Sequence, residues 1–159
     1  MKPRTRARGF ALQVLYEIDL TQHPPGEVFQ NRRLDTELTD DLSEFARQIV
    51  FGVLPFKEKL DHVIARFASE WPFDQIAAID RNILRMACWE FAVERCTPVK
   101  VAINEAVDLA KMYGSDSAPR FVNGVLGSLA ERENDIWQIF HQEQHAVPVE
   151  TQEQIEPNS

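Results

Sequence analysis

Cysteine is scarce in this sequence. The two present, Cys88 and Cys96, lie eight residues apart with no CxxC pair, so reduced thiols in a cytoplasmic protein are expected, not a metal or redox role. No uninterrupted apolar run approaches the ~20 residues needed to span a bilayer. Gln13, Glu17 and Asp19 interrupt the stretch behind the basic amino terminus, so no secretory signal is expected. There is no Gly-rich phosphate loop, no GxSxG elbow and no Cys–His pairing with a sequence signature. His141 and His145 stand at i, i+4, a spacing able to ligate zinc, but they flank Gln-Glu-Gln without the Glu that a zinc protease needs, and an exposed helix end is the better reading. Glu105 and Asp108 beside Lys111 read as a solvated charged face. The expectation is a protein that is not an enzyme and that uses no cofactor and no metal.

Alternating, strand-like hydrophobicity is missing as well, which leaves an all-α chain of about six or seven helices. Its 159 residues suit one domain, and 44% hydrophobic with 26% charged residues is ordinary for a soluble protein. Charge is unevenly spread. Residues 1–16 hold Lys2, Arg4, Arg6 and Arg8 without an acid, so the rest of a chain of net charge −8 carries −12. Such polarity suits an adaptor that offers one end to an anion and its flank to a basic protein.

The first helix is expected over 4–20, with Ala7, Phe10, Ala11, Val14, Leu15 and Ile18 inward. Arginines in its first turn oppose the helix dipole, which a sequence serving stability alone would avoid; a solubilising basic segment is the plain alternative. His23-Pro24-Pro25-Gly26 breaks the chain, and a short turn around Val28 and Phe29 follows. Thr39 caps a helix with Asp40 and Asp41 in its first turn, and Pro55 interrupts it before the pattern resumes to about Ser69. Trp71-Pro72 marks a seam. Ile76 to Glu94 form the next helix. Glu131–Gln144 adds a last one, and 146–159 reads as a disordered acidic tail after a 1–145 domain.

The organising stretch is Thr97–Leu129, a helical hairpin. Thr97 caps its first helix with Pro98 at the first helical position, and Ile103, Ala106, Val107 and Ala110 form the stripe. Gly114 provides a left-handed end, Ser117 caps the second helix, and Val122, Val125, Leu126 and Leu129 form its stripe. Asn104 and Asn123 could bond across the pair. Single-stranded RNA recognition uses cations on phosphates and aromatic planes under bases. Arg6 and Arg8 suit the first role; Tyr113 and Phe121, flanking the turn with Arg120, suit the second. On pattern alone Phe121 serves packing or stacking equally well.

VAINEAVDLAK, a short gap ending in Gly114, and RFVNGVL resemble the carboxy-terminal signature of the NusB family, and the Arg-rich start and IDRNILR match it too. The resemblance spans roughly 3–130. It implies two three-helix subdomains meeting near 71–72. It also implies a non-catalytic adaptor that binds boxA-type RNA together with ribosomal protein NusE and promotes transcription antitermination by the elongating RNA polymerase complex, chiefly on ribosomal RNA operons. It places Arg4, Arg6, Arg8, Tyr113, Ser117, Arg120 and Phe121 at the RNA, and Tyr16 and Asp80 at the protein partner. For Asp80 the plain alternative is a local pair with Arg81 or Arg85. Thr5 stands where another Arg is frequent, and Ser117-Ala118 where many relatives have Asp-Ser, so weaker unaided RNA affinity is expected. Similar domains also assist ribosomal RNA modification, and some family members form homodimers over the RNA face.

Overall fold

The computed structural model describes residues 1–142, so the expected acidic tail, His145 and the end of the last helix lie outside the described residues. Seven α-helices run in order: α1 Pro3–Thr21, α2 Pro25–Leu34, α3 Asp40–Val53, α4 Lys57–Phe67, α5 Ala78–Cys88, α6 Val99–Tyr113 and α7 Ala118–Ala130. A further helical stretch, α8, covers 133–142. No strand occurs among the described residues, and none of their helices is long and apolar enough to cross a membrane.

α1 is the axis of the molecule. From Thr5 to Leu15 it is buried on nearly every side, because α2, α3, α5 and α6 all pack on it. Small residues make this close approach feasible: Ala7 and Ala11 are fully enclosed. Phe10 meets Phe29 of α2 edge-on at 5.3 Å between ring centroids, and Phe29 lies 6.0 Å from Phe51 of α3. Val28 and Phe29 therefore belong to a ten-residue helix, longer than the expected turn, held in place by tertiary burial. α1 ends at Gln22, whose backbone enters the left-handed region (φ 62°), and the prolines beyond it redirect the chain.

Thr39 caps α3 as expected, its hydroxyl accepting from the Leu42 amide at 3.3 Å. Pro55 lies in a single 3-10 turn, Leu54–Phe56, that separates α3 from α4. The helix expected to run from Ile76 to Glu94 instead changes pitch: α5 gives way to a π turn, Trp89–Val93, in which the Glu94 amide reaches back to the Trp89 carbonyl at 2.9 Å. Arg95 then takes a left-handed φ of 55°, and its side chain is held by Asn134 at 2.7 Å and by the Trp137 ring at 4.8 Å. The close approach of α3 explains the wide turn's setting. A Cβ on Gly52 would stand 2.2 Å from the Trp89 ring, so only glycine fits there.

The hairpin forms, with corrections to its boundaries. α6 begins at Val99 with Pro98 at the cap position, and the Thr97 hydroxyl donates inward to Glu90 instead of capping. Gly114 is extended (φ −94°, ψ −178°), not left-handed. It is needed for space: a Cβ would meet the Ala118 Cβ at 2.6 Å and the Ala110 carbonyl at 2.9 Å. Ser117 precedes α7 without a side-chain cap bond, its hydroxyl lying 3.4 Å from that of Ser115. Asn104 and Asn123 are exposed and no hydrogen bond joins them among the described residues.

An ionic cluster ties α1, α4 and α5 together. Asp19 accepts from Lys57 at 2.6 Å and from Asn82 and Arg85 at 3.3 Å, while Arg85 also forks onto Asp61 at 2.6 and 2.8 Å. Desolvation alone would push the Asp19 carboxyl up, but the Lys57 hydrogen bond together with Arg85 and Asn82 outweighs it and holds the group at about 2.

Candidate nucleic-acid interface

The cationic start of α1 divides into two kinds of arginine. Arg4 and Arg6 are exposed, whereas Arg8 is 3% exposed. Position in the helix decides this: Arg8 follows Thr5 by three residues and lies on the side facing α5 and α6. Its Nε and Nη2 donate to the Glu90 carboxylate at distances between 2.7 and 3.2 Å, and Nη1 lies 3.5 Å from Glu105. Thr97 also donates to Glu90, at 2.9 Å, and Thr5 donates to Glu105 at 2.9 and 3.1 Å. Burial alone would favour the neutral guanidine; the Glu90 hydrogen bond and the charges of Glu90 and Glu105 reverse that and keep Arg8 protonated. Glu105 is thus not on a solvated face, although Asp108 and Lys111 are exposed.

Arg4 and Arg8 both lie over the Phe45 ring, with guanidinium carbons 4.7 and 5.0 Å from its centroid, which fixes the first turn of α1 on α3. Arg6 donates to the Glu37 carbonyl in the α2–α3 connection. Its side chain helps line a groove of about 600 Å³ with Arg33 and the loop from Leu34 to Thr39. No acid occupies the first turn of α1, so its free amides and its arginines add in sign.

α6 runs parallel to α1. Glu105 meets Thr5 and Arg8, and two helical turns later Tyr113 meets Gly9 and Gln13. The Tyr113 hydroxyl accepts from Gln13 at 3.0 Å and stands 2.9 Å from where a Gly9 Cβ would be, so glycine there lets the ring lie across α1. Tyr113 is nonetheless 38% exposed, leaving its ring open to stacking. The α6–α7 turn therefore adjoins the amino-terminal half of α1, with Ser117 and Arg120 exposed on it.

Phe121 follows that turn, in α7. It is half-buried, edge-on to Trp71 at 6.3 Å, and with Trp71, Ile76 and Asp80 it lines a groove of about 340 Å³. Asp80 is 8% exposed. The alternative of a local pair does not form: Arg81 and Arg85 turn to Asp19, and Asp80 Oδ1 has no hydrogen-bond partner among the described residues. Burial pushes its carboxyl up. Tyr16 is half-buried, one helical turn before Asp19. The structure thus sets Tyr113 against Gly9 and Gln13 of α1, with Arg4 held by Phe45 and Arg6 by the Glu37 carbonyl earlier on that helix, and joins Phe121 to Asp80 and Trp71; Arg8 is withdrawn into the interior between α1, α5 and α6.

Sequence reasoning missed Glu90 and Glu105 as the partners of Arg8, Thr97 as a second donor to Glu90, and Trp71 as the wall of the Phe121 groove. Glu90 carried a signal: it is the lone acid inside the apolar run from Met86 to Val93, and an acid at such a position needs a cation. Among the described residues there is no group of His, Cys, Asp and Glu able to hold a metal ion. Cys88 is fully buried, its thiol pushed up to about 12 by desolvation.

An all-α fold with an exposed cationic helix start beside an aromatic turn is the arrangement expected of a helical nucleic-acid-binding protein. Comparison with known proteins gives that class a family. The NusB family model matches residues 5–131. The transcription antitermination protein NusB of Roseiflexus castenholzii is 45% identical over 131 residues, covering 81% of this chain and 92% of the relative. Among solved structures, T. maritima NusB superposes with a TM-score of 0.73 at 28% identity, covering 82% of this chain and 92% of that one. A structure of antitermination factors NusB and NusE in complex with dsRNA gives 0.71 at 28% identity, covering 87% and 98%. The chain belongs to the NusB family.

Proposed function

We propose that this protein is a transcription antitermination factor acting by binding, without catalysis. In this reading it captures single-stranded boxA-type RNA jointly with ribosomal protein NusE and delivers both to the elongating RNA polymerase complex, chiefly on ribosomal RNA operons. The observation that carries the reading is Tyr113 lying across Gly9 and Gln13, which makes the Arg4–Arg6 helix start and the α6–α7 turn one neighbourhood. Arg4 and Arg6 then track phosphates, Tyr113 offers a stacking plane, and Arg120 and Ser117 border the path. Arg8 acts one step back, holding α1 against α5 and α6. The similarity to a NusB that was solved with NusE and RNA supports both partners.

Asp80, Tyr16 and the Phe121–Trp71 groove form the proposed NusE side. A buried carboxylate with an unpartnered oxygen suits a lysine or arginine from a basic ribosomal protein. Residues 1–145 are read as one binding domain, with its two helical groups meeting near Trp71-Pro72. Two modest surfaces in one complex gain avidity that neither has alone.

The test is NusE capture by the full chain with and without boxA RNA. Mutual enhancement of RNA and NusE binding is expected; NusE binding that RNA leaves unchanged, or no NusE binding, overturns the reading. Co-purification with a ribosomal RNA methyltransferase in place of NusE would favour an accessory role in RNA modification. Light scattering with and without RNA separates the adaptor from a homodimer closed over the RNA face.

A further inference from the structure

The Tyr113 hydroxyl carries a proton for which the fold supplies no acceptor. Among the described residues its oxygen has one hydrogen-bond partner, the Gln13 amide nitrogen at 3.0 Å. A glutamine can present either end of its amide, and Arg32 of α2 decides which. Arg32 Nη1 lies 3.3 Å from Gln13 Oε1. A guanidinium only donates, so the amide oxygen has to face it. The NH2 end is thereby turned to Tyr113, and it too only donates. The phenol oxygen is therefore the acceptor in that bond, and its own O–H is left to point elsewhere.

The arrangement is held from both sides. Arg32 is fixed by its Nε, which donates to Glu17 at 2.8 Å. The hydroxyl rests over Gly9, where a Cβ would stand 2.9 Å away, so the backbone of α1 closes off one side of it. Tyr113 itself is exposed, and the proton is directed to solvent. A tyrosine placed only to fill space over α1 would be expected to spend that proton on an inward carbonyl or carboxylate. Here the interior offers a donor instead.

We propose that the Tyr113 hydroxyl donates a hydrogen bond to an acceptor oxygen of the bound RNA, and that Gln13, oriented by Arg32, is the positioning residue that keeps it a donor. The inference rests on the RNA reading above and deepens it. Besides a stacking plane, position 113 then contributes a directional contact that carries no charge. Phosphate, 2′-hydroxyl and base oxygens all accept from O–H.

The test measures boxA RNA affinity of the full chain with NusE present. Tyr113→Phe keeps the ring and removes the proton; affinity is expected to fall roughly three- to tenfold. The log–log salt slope should not change, because no cation leaves the RNA. Substitutions at Gln13 separate donation from mere support of the ring. Gln13→Met leaves the phenol free to donate outward and should keep affinity near that of the wild type. Gln13→Glu offers an inward acceptor, draws the proton toward α1 and should cost about as much as Tyr113→Phe. In Tyr113→Phe/Gln13→Glu the glutamate should cost little further, which sets its charge aside as the cause. A hydroxyl that only held the ring would reverse the order: Gln13→Met would weaken RNA binding, and Gln13→Glu, which keeps the bond, would not. That result overturns the proposal, as does wild-type affinity in Tyr113→Phe. Single methylphosphonate or 2′-deoxy substitutions in the RNA locate the acceptor, since the right one abolishes the cost of Tyr113→Phe; if none does, the acceptor is a base oxygen. A wild-type chain that binds no RNA defeats the RNA reading and this inference with it, whereas wild-type binding with an unaffected Tyr113→Phe defeats this inference alone.

Discussion

Arg8→Ala is expected to act on stability and not directly on RNA. Arg8 and Glu90 are each 3% exposed at the side chain and joined at 2.7 Å. Deleting the arginine strands Glu90 in the interior, a change that costs about 3–5 kcal/mol for buried pairs. The lower end applies here, because Thr97 still donates to Glu90 and Thr5 to Glu105. About 3 kcal/mol is a large share of the ~5–15 kcal/mol that stabilises a domain. With a urea m-value of roughly 2 kcal/mol/M, it lowers the midpoint by about 1.5 M. Arg8→Met combined with Glu90→Met removes both charges and is expected to recover most of that loss. RNA affinity measured against salt, under conditions where the variant is folded, should keep the wild-type log–log slope for Arg8→Ala. Arg6→Ala should flatten it by roughly 0.7 per lost phosphate contact. An Arg8→Ala protein with an unshifted urea midpoint and a flattened salt slope would refute the assignment of Arg8 to the interior.

Gly52→Ala puts a Cβ 2.2 Å from the Trp89 ring; overpacking of this kind costs about 1–3 kcal/mol, read as a drop in thermal midpoint with reduced Trp fluorescence anisotropy. Asp19 is held at about 2, below its ordinary value, so its contribution is fully present above about pH 4 and is lost as pH falls through about 2. Asp19→Asn should therefore lower the urea midpoint at neutral pH and weaken its dependence on pH in that acid window; an unchanged acid limb would remove Asp19 from the account. Asp80 is shifted the other way, by burial, so its charged form costs stability above the usual carboxylate range. Asp80→Asn should keep or raise the thermal midpoint yet weaken NusE binding by calorimetry, and Asp80→Lys should impair it further; a destabilised Asp80→Asn would mean a structural partner has been overlooked.

How much of the fold is legible in the chain depends on which interactions are local. Thr39 with Asp40 and Asp41, Pro55 and the stripes of α3 and α7 are short-range signals, and each element appears where those residues place it. The π turn at Trp89–Val93 is not local. It depends on Gly52 of α3 giving the Trp89 ring room, thirty-seven residues away in the chain. Gly114 could be recognised as a helix end, but its reason, that a Cβ there would meet Ala118 and stand 3.2 Å from Asp80 Oδ1, exists only once α5, α6 and α7 have packed.

The misreading of Arg8 has the same origin and carries the broader lesson about this site. Four cations in the first eight residues look equivalent in sequence, because spacing alone gives no direction to a helix whose neighbours are unknown. α1 packs on four other helices, so its faces are sorted by distant residues: Glu90 and Glu105 draw Arg8 inward, while Phe45 holds Arg4 at the surface by its ring. The same two acids, through Arg8 and Thr5, set how α6 lies along α1 and hence where Tyr113 crosses it. Interior charge therefore positions the exposed cations without competing for their ligand. Loss of RNA affinity in an Arg8 variant would then arise through displacement of Tyr113, and should be reproduced by Gly9→Ala, whose Cβ pushes the Tyr113 hydroxyl from its place while leaving every cation intact.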